Sequence, residues 1–328
     1  MNPYDQIHPP APPPELALRR DLRKNANITG IATLLIFGVS MLLWETYGFT
    51  FPFIRSLIPG ESVMWLTYTA MFFIFCITFW IPCVVMSRWL QIPAKTAYPM
   101  RPVRADVMIS AIGICLGARF VGALLVERVS ETMEIITGGL APTMPSLPTP
   151  ETTGVYILYA INIVVAPSIF EELLFRGVML QALRRFGDHF AVVSTSILFA
   201  LMHGNLMQGP YALLLGLLIG YFVIYTGSLW TGIAMHAANN FLSVLIEYFM
   251  DHMSDTAFET LAVVVLIVSV FMSVIGLVHL RSKFGSLFYL RRGNYPMTER
   301  RKHLVFFTSP FVIIAIGVCL YYIIEQFA

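Results

Sequence analysis

Residues 155–180 read VYILYAINIVVAPSIFEELLFRGVML, an apolar run interrupted by two adjacent glutamates, Glu171 and Glu172, and by Arg176. About 20 apolar residues are enough for a helix to cross the hydrocarbon core of a bilayer. Charged side chains within such a helix are costly, so they mark either a functional site or a paired structural group. This segment therefore predicts a membrane-spanning helix that carries polar chemistry.

The whole chain has the composition of a membrane protein. Of its 328 residues, 57% are hydrophobic and only 12% are charged, whereas soluble domains contain roughly 25% charged residues. This composition excludes a disordered chain, a small disulfide scaffold and a basic nucleic-acid-binding domain. We therefore expect the lipid bilayer as a partner and no nucleic acid.

Apolar runs of span length recur along the chain and predict an all-α, polytopic transmembrane helix bundle of about nine spans, within a range of eight to nine. The predicted spans are 28–44, 63–86, 106–126, 155–180, 190–205, 209–226, 229–249, 258–280 and 304–324.

The basic residues predict how the bundle is oriented. Short cytoplasmic loops are enriched in Lys and Arg. With the N-terminus inside, nine spans place 18 of the 21 basic residues on the cytoplasmic side. We therefore expect an integral protein of the cell membrane with a cytoplasmic N-terminus.

Helical spacing distinguishes the two glutamates. Glu172 and Arg176 are four residues apart, with the acid first, which favours an ion pair on one helix face. Glu171 lies about 100° around the helix from Glu172, so one arginine is not expected to neutralise both acids. Glu171 is therefore the candidate for a reactive carboxylate, and Glu172 for a paired one.

Two later spans add His203, His236 and Asn240, while the neighbouring Asn239 is expected to serve helix packing. A buried carboxylate beside an imidazole can remove a proton from water. An imidazole and a carboxamide one helical turn apart can donate hydrogen bonds to an oxyanion. These residues predict amide hydrolysis, either without a metal or with zinc held by Glu171, His203 and His236.

The order of three motifs resembles a known family. They are EELLFR at 171–176 (EExxxR), FALMH at 199–203 (FxxxH) and HAANN at 236–240 (HxxxN). Together, on successive predicted spans, they resemble the CAAX protease and bacteriocin-processing (CPBP) family of intramembrane endopeptidases, which includes the type II CAAX prenyl endopeptidases. The resemblance covers about 155–248.

The resemblance implies that Glu171 and His203 activate water and that His236 and Asn240 stabilise the oxyanion. We expect no cofactor, because Asn240 suits a hydrogen-bond donor better than a metal ligand, with zinc as the alternative. Three further residues are expected to support the site: Glu172, Arg176 and Phe199.

The chain is accordingly divided into four parts: a disordered, Pro-rich cytoplasmic tail at 1–27, N-terminal membrane helices at 28–154, a catalytic core at 155–248 and a C-terminal membrane extension at 249–328. The expected substrate is a membrane-associated, prenylated or leader-type polypeptide. Two alternatives to a protease are a proton-coupled transporter with a Glu/His relay and a catalytically silent membrane protein that binds a partner, as an immunity factor or chaperone does.

Overall fold

The computed structural model describes residues 15–58, 62–139, 150, 152–292 and 297–327. The structure is 86% helical, and these residues include no β-strand. Its longer helices are α1 (Glu15–Leu57), α2 (Ser62–Trp89), α3 (Ala105–Thr137), α4 (Thr153–Phe186), α5 (Asp188–Met202), α6 (Gly209–Thr226), α7 (Leu229–His252), α8 (Asp255–Phe284), α9 (Glu299–Phe307) and α10 (Pro310–Glu325).

The predicted all-α membrane bundle is confirmed, with a slightly smaller number of spans. Among the described residues, seven helices are long and apolar enough to cross a membrane, or eight if α9 and α10, which meet at a 71° bend, form one broken span. The predicted span 190–205 is the difference, because α5 has only 15 residues and ends at Met202. Gly204, with a φ of 57°, adopts the left-handed conformation that terminates a helix.

The first helix begins earlier than predicted. Residues 15–27 belong to α1, so they are not part of a disordered tail, and residues 1–14 lie outside the described residues. Leu18, Leu22 and Ala26, spaced four apart, are buried, and α1 packs against α9 and α10. Tertiary packing of this apolar stripe explains why a polar segment is helical.

The basic segments meet at one end of the bundle. Ion pairs join them across distant parts of the sequence: Asp21 with Arg185, Glu15 with Arg301, and Asp106 with Lys283. The backbone N–H of Asp188 also donates to the carbonyl of Arg291 at 2.7 Å. If these basic segments all face the cytoplasm, they have to lie at the same end of the bundle, as they do here. That this end is the cytoplasmic one stays a prediction.

Helices α4, α5, α6 and α7 form the centre of the molecule. Helix α6 packs against both α5 and α7, and α7 packs along α4. Helix α3 contacts α6 and α7 on one side and α8 on the other. The polar residues singled out in the sequence therefore lie on neighbouring helices, as convergence on one site requires.

Candidate active site

Helix α4 changes its winding on both sides of the glutamate pair. Two π-helical turns, Ile161–Val165 and Leu173–Met179, flank its central α-helical segment. Pro167 has no N–H to donate to the carbonyl of Ile163, four residues earlier. The side-chain amide of Asn240 donates to that carbonyl instead, at 2.9 Å. The π turns were not predicted, although Pro167 is a sequence signal for such a break.

Glu172 forms the centre of a buried ionic network. Its Oε1 accepts a hydrogen bond from Arg176 Nη1 at 2.9 Å, so the predicted ion pair is present. The same oxygen lies 3.0 Å from His236 Nδ1. Because the carboxylate accepts this hydrogen bond, His236 carries a proton on Nδ1. Its other ring nitrogen, Nε2, then points away from Glu172. Glu172 therefore fixes the orientation of His236 as well as pairing with Arg176.

Glu171 has no comparable ion pair. Its Oε2 is buried without a hydrogen-bond partner among the described residues, and it lies 4.0 Å from His236 Nε2. Two polar atoms at this separation can share one water at about 2.8 Å from each. His236 therefore faces Glu171, and His203, the predicted partner of Glu171, lines the same cavity.

The charges of this cluster balance only with one additional proton. Glu171, Glu172 and Arg176 are all at most 6% exposed. Two carboxylates and one guanidinium leave one uncompensated negative charge, which is costly to bury. A proton held on either Glu171 or His236 makes the cluster neutral. When His236 holds it, its Nε2–H becomes a donor that faces the Glu171 carboxylate.

Phe199 packs against three of the polar groups. The Arg176 guanidinium lies over its ring, 4.1 Å from the centroid. The rings of His203 and His236 meet it edge-on, with centroids 4.9 Å and 6.1 Å away. His203 directly follows α5, and its Nδ1 lies 2.7 Å from the carbonyl oxygen of Phe199. Since a carbonyl can only accept, Nδ1 donates, and Nε2 of neutral His203 is left as an acceptor.

A second polar network positions Asn240. The amide nitrogen of Asn239 donates to the Asn240 side-chain oxygen at 3.0 Å, and Tyr211 donates its hydroxyl proton to Asn239 Oδ1. Arg119 Nη1 donates to Ser243 Oγ at 2.7 Å and to the Asn239 carbonyl at 3.3 Å. Tyr211 and Arg119 were not among the predicted site residues. The signal for Arg119 was its charge within an apolar span.

The four predicted catalytic residues line one cavity of about 360 Å³: Glu171, His203, His236 and Asn240. A second cavity, also of about 360 Å³, shares Glu171 and His203 with the first. Its remaining walls are largely apolar side chains of α1 and α2, including Ile36, Phe37, Ile74, Phe75 and Phe79. The site therefore has a polar limb and an apolar limb that meet at Glu171 and His203.

The proposed zinc ligands do not form a ligand set in this arrangement. Among the described residues, Glu171, His203 and His236 do not bring three ligand atoms within 4.8 Å of one another. The arrangement of these three residues therefore does not fit a zinc ion.

Part of the chain matches a known protein family. Residues 153–242 match the family model described as Type II CAAX prenyl endopeptidase Rce1-like. The matched region runs from the start of α4 into α7 and contains all three motifs, so the resemblance to CAAX proteases is confirmed. It supports a CAAX-type intramembrane endopeptidase in general and favours neither the transporter nor the silent binding protein. No curated protein and no solved structure matches the chain.

Proposed function

We propose that this protein is an intramembrane endopeptidase that uses Glu171 as a general base to hydrolyse a peptide bond of a membrane-associated polypeptide. The observation that carries the proposal is the buried carboxylate of Glu171. Its Oε2 has no hydrogen-bond partner among the described residues and lies 4.0 Å from His236 Nε2, at the wall of a cavity. A carboxylate in this environment can hold and deprotonate a water molecule.

In the proposed reaction, Glu171 and His203 activate the water. The water donates one O–H to the Glu171 carboxylate and the other to Nε2 of His203, which is an acceptor because Nδ1 donates to Phe199. The water oxygen then bonds to the substrate carbonyl carbon while Glu171 takes the proton. When the C–N bond breaks, that proton passes to the leaving amine, and the water oxygen remains in the new carboxyl group.

His236 and Asn240 would stabilise the oxyanion. Protonated His236 offers Nε2–H, and Asn240 has a second amide N–H besides the one donated to the Ile163 carbonyl. Donors held in place before the reaction stabilise developing charge without reorganisation. Glu172 and Arg176 would act through His236, because the shared Glu172 oxygen holds the imidazole in one tautomer.

The apolar limb suggests what the substrate carries. It begins at the same Glu171 and His203 as the polar limb, and aliphatic and aromatic side chains of α1 and α2 form its walls. Such a cavity favours an apolar group with few hydrogen-bonding needs. We propose that it receives an apolar or lipidated portion of the polypeptide, with the scissile bond in the polar limb.

The test uses purified protein in lipid nanodiscs with membrane-tethered peptides, one set prenylated and one set unmodified. Cleavage in H₂¹⁸O should place one ¹⁸O atom in the new carboxyl group, as mass spectrometry would detect. His203→Ala and His236→Ala should each reduce the rate by at least ~100-fold. His252→Ala, at the exposed end of α7, is the matched control and should cleave normally. Absence of cleavage of every peptide, or normal cleavage by both site variants, would contradict the proposal.

A further inference from the structure

A second group of ligand-type side chains lies outside the cavity, where α9 packs against α5. It consists of His189, the second residue of α5, and of Glu299 and His303 on α9. One ligand atom from each lies within 4.8 Å of the other two. We propose that His189, Glu299 and His303 bind a divalent transition-metal ion of the zinc type that fastens α9 to α5.

The spacing of the ligand atoms supports metal coordination. His189 Nδ1 and Glu299 Oε2 face each other at 3.4 Å, and both are buried without a hydrogen-bond partner. Zinc bonds of about 2.1 Å at the tetrahedral angle separate two ligand atoms by roughly 3.4 Å. Glu299 and His303 are four residues apart, so they share one face of α9. His303 offers the third ligand atom, within 4.8 Å of the other two.

Neighbouring side chains hold the ligands in place. Lys302 Nζ donates to the other oxygen of Glu299 at 2.5 Å, which leaves Oε2 for the ion. Ser194 Oγ lies 3.3 Å from His303 Nδ1, where it can accept a hydrogen bond from Nδ1–H, and in that tautomer the Nε2 lone pair is available to the metal. Hydrogen bonds to the far side of the ligands are typical of protein metal sites.

The residue types indicate the class of metal. Mg²⁺ and Ca²⁺ prefer several oxygen ligands, but this site has one carboxylate and two imidazoles. The site also lies beside Lys302, whose Nζ donates hydrogen bonds to Glu299 and to the Arg292 carbonyl. The positive charge of Lys302 repels a cation, so an ion held only by electrostatic attraction is disfavoured. Imidazole ligands suit Zn²⁺, Ni²⁺ and Cu²⁺, and three protein ligands leave one position for water.

A bound ion would join two parts of the chain. Helix α5 lies within the matched family domain, residues 153–242, whereas α9 follows it. Helix α5 begins next to the proposed ion and ends beside His203, about 22 Å away for 15 residues. The ion would therefore anchor the C-terminal helices to the helix that carries His203. This proposal is independent of the proposed protease chemistry.

The experiment measures metal content and affinity rather than cleavage. Full-length protein is treated with a chelator, then titrated with Zn²⁺, and separately with Co²⁺, whose visible absorption reports tetrahedral coordination. We expect one tightly bound Zn²⁺ per chain, not displaced by Mg²⁺ or Ca²⁺. His189→Ala and His303→Ala should each weaken binding by roughly 100-fold or more. His279→Ala, which removes a ring 3.1 Å from Asp106, should bind zinc normally.

A second variant distinguishes this site from the cavity. His203→Ala/His236→Ala should retain the full equivalent of zinc, and loss of zinc there would overturn the proposal. Unchanged zinc affinity in His189→Ala and His303→Ala would also overturn it, as would a wild-type chain that binds no zinc. If the alanine variants misfold, Glu299→Gln, which preserves the side-chain volume, replaces them. Its metal-free form should be as thermally stable as metal-free wild type, and its zinc affinity is then measured. A zinc affinity equal to that of wild type would also overturn the proposal.

Discussion

Helices α4 and α8 are both long and apolar, but only α4 carries buried charge. In its most apolar stretch, α8 has a mean hydropathy of 3.0 and only 11% of those residues are buried. The corresponding values for α4 are 1.7 and 28%. Helix α8 is regular throughout its 30 residues, whereas α4 alternates between α-helical and π-helical winding. Similar apolar length therefore produces a lipid-facing helix in one case and part of the candidate active site in the other.

The difference lies in what each helix has to satisfy. Helix α8 exposes most of its surface. It approaches α3 closely at Gly113 of α3, where an added Cβ would lie only 2.9 Å from the carbonyl oxygen of Met272 in α8, so a small residue is needed there. Helix α4 must pair every buried charge and every backbone group that its irregular winding releases. The amide of Asn240 donates to the Ile163 carbonyl, and Arg176 and His236 both contact Oε1 of Glu172. The buried charges of α4 thus depend on neighbouring helices, whereas the charged contact of α8 with α3, between Lys283 and Asp106, lies at the end of the helix.

The largest expected effect separates chemistry from folding within α4. Glu171→Gln removes the proposed base but keeps the side-chain volume, so cleavage of a tethered peptide should fall by at least ~1000-fold. Thermal stability should not decrease, because with a neutral amide at this position the buried cluster is neutral without an additional proton. Glu247→Gln is the control. It makes the same change at a glutamate that accepts a hydrogen bond from Tyr159 outside the cavity, and this variant should cleave at the wild-type rate. Equal activity of Glu171→Gln and Glu247→Gln would remove Glu171 from the mechanism.

The next effect tests whether the buried charges of α4 need each other. Arg176→Met leaves Glu172 without its cation at a position that is 0% exposed. Breaking a buried ion pair from one side costs about 3–5 kcal/mol, which equilibrium unfolding in mixed detergent micelles can measure.

The double variant Glu172→Gln/Arg176→Met provides the control for that prediction. Removing both charges should recover much of the lost stability, because no unpaired ion remains. Activity should stay low, since Glu172 also orients His236. If the double variant were as unstable as the sum of the two single variants, the pair would not be coupled.

A smaller effect is expected where α7 passes close to the Glu172 carboxylate. At Gly232, an added Cβ would lie 2.9 Å from Glu172 Oε2 and 2.8 Å from a methyl group of Val223. Gly232→Ala should therefore displace Glu172 and, through it, His236, at a cost of about 1–3 kcal/mol. We expect a roughly tenfold loss of activity if about 1.4 kcal/mol of this cost falls on the transition state. Gly38→Ala, in a helix with open space around it, should have no such effect.

The features that the sequence predicted are those that a single helix determines. Hydropathy over about 20 residues identified the membrane helices, and the four-residue spacing identified the Glu172–Arg176 pair. The distinction between Glu171 and Glu172 also follows from angles around one helix. Each of these depends on positions close together in the chain.

The features that were missed depend on contacts between helices. Glu172 and His236 are 64 positions apart, so no local pattern indicates that they share a hydrogen bond. The helical start of α1 at Glu15 depends on packing against α9 and α10. At the π turn Ile161–Val165 of α4, Pro167 lacks the N–H for the Ile163 carbonyl, and a side chain of α7 donates to that carbonyl instead. Local spacing cannot supply these partners, because each lies on another helix.

The smallest expected effect comes from making the same substitution, valine to alanine, in α4 and in α8. Val178 of α4 is 0% exposed, whereas Val268 of α8 is 53% exposed, on a helix whose most apolar stretch is only 11% buried. Val178→Ala should cost about 2 kcal/mol, because it opens a cavity in packed protein. Val268→Ala should change the free energy of unfolding by less than ~0.5 kcal/mol, because lipid chains fill the space that the removed methyl groups leave. If Val268→Ala lowered the free energy of unfolding in detergent as much as Val178→Ala, the exposed side of α8 would have to pack against protein, such as a second copy of the chain. The assignment of α8 as a lipid-facing helix would then be wrong.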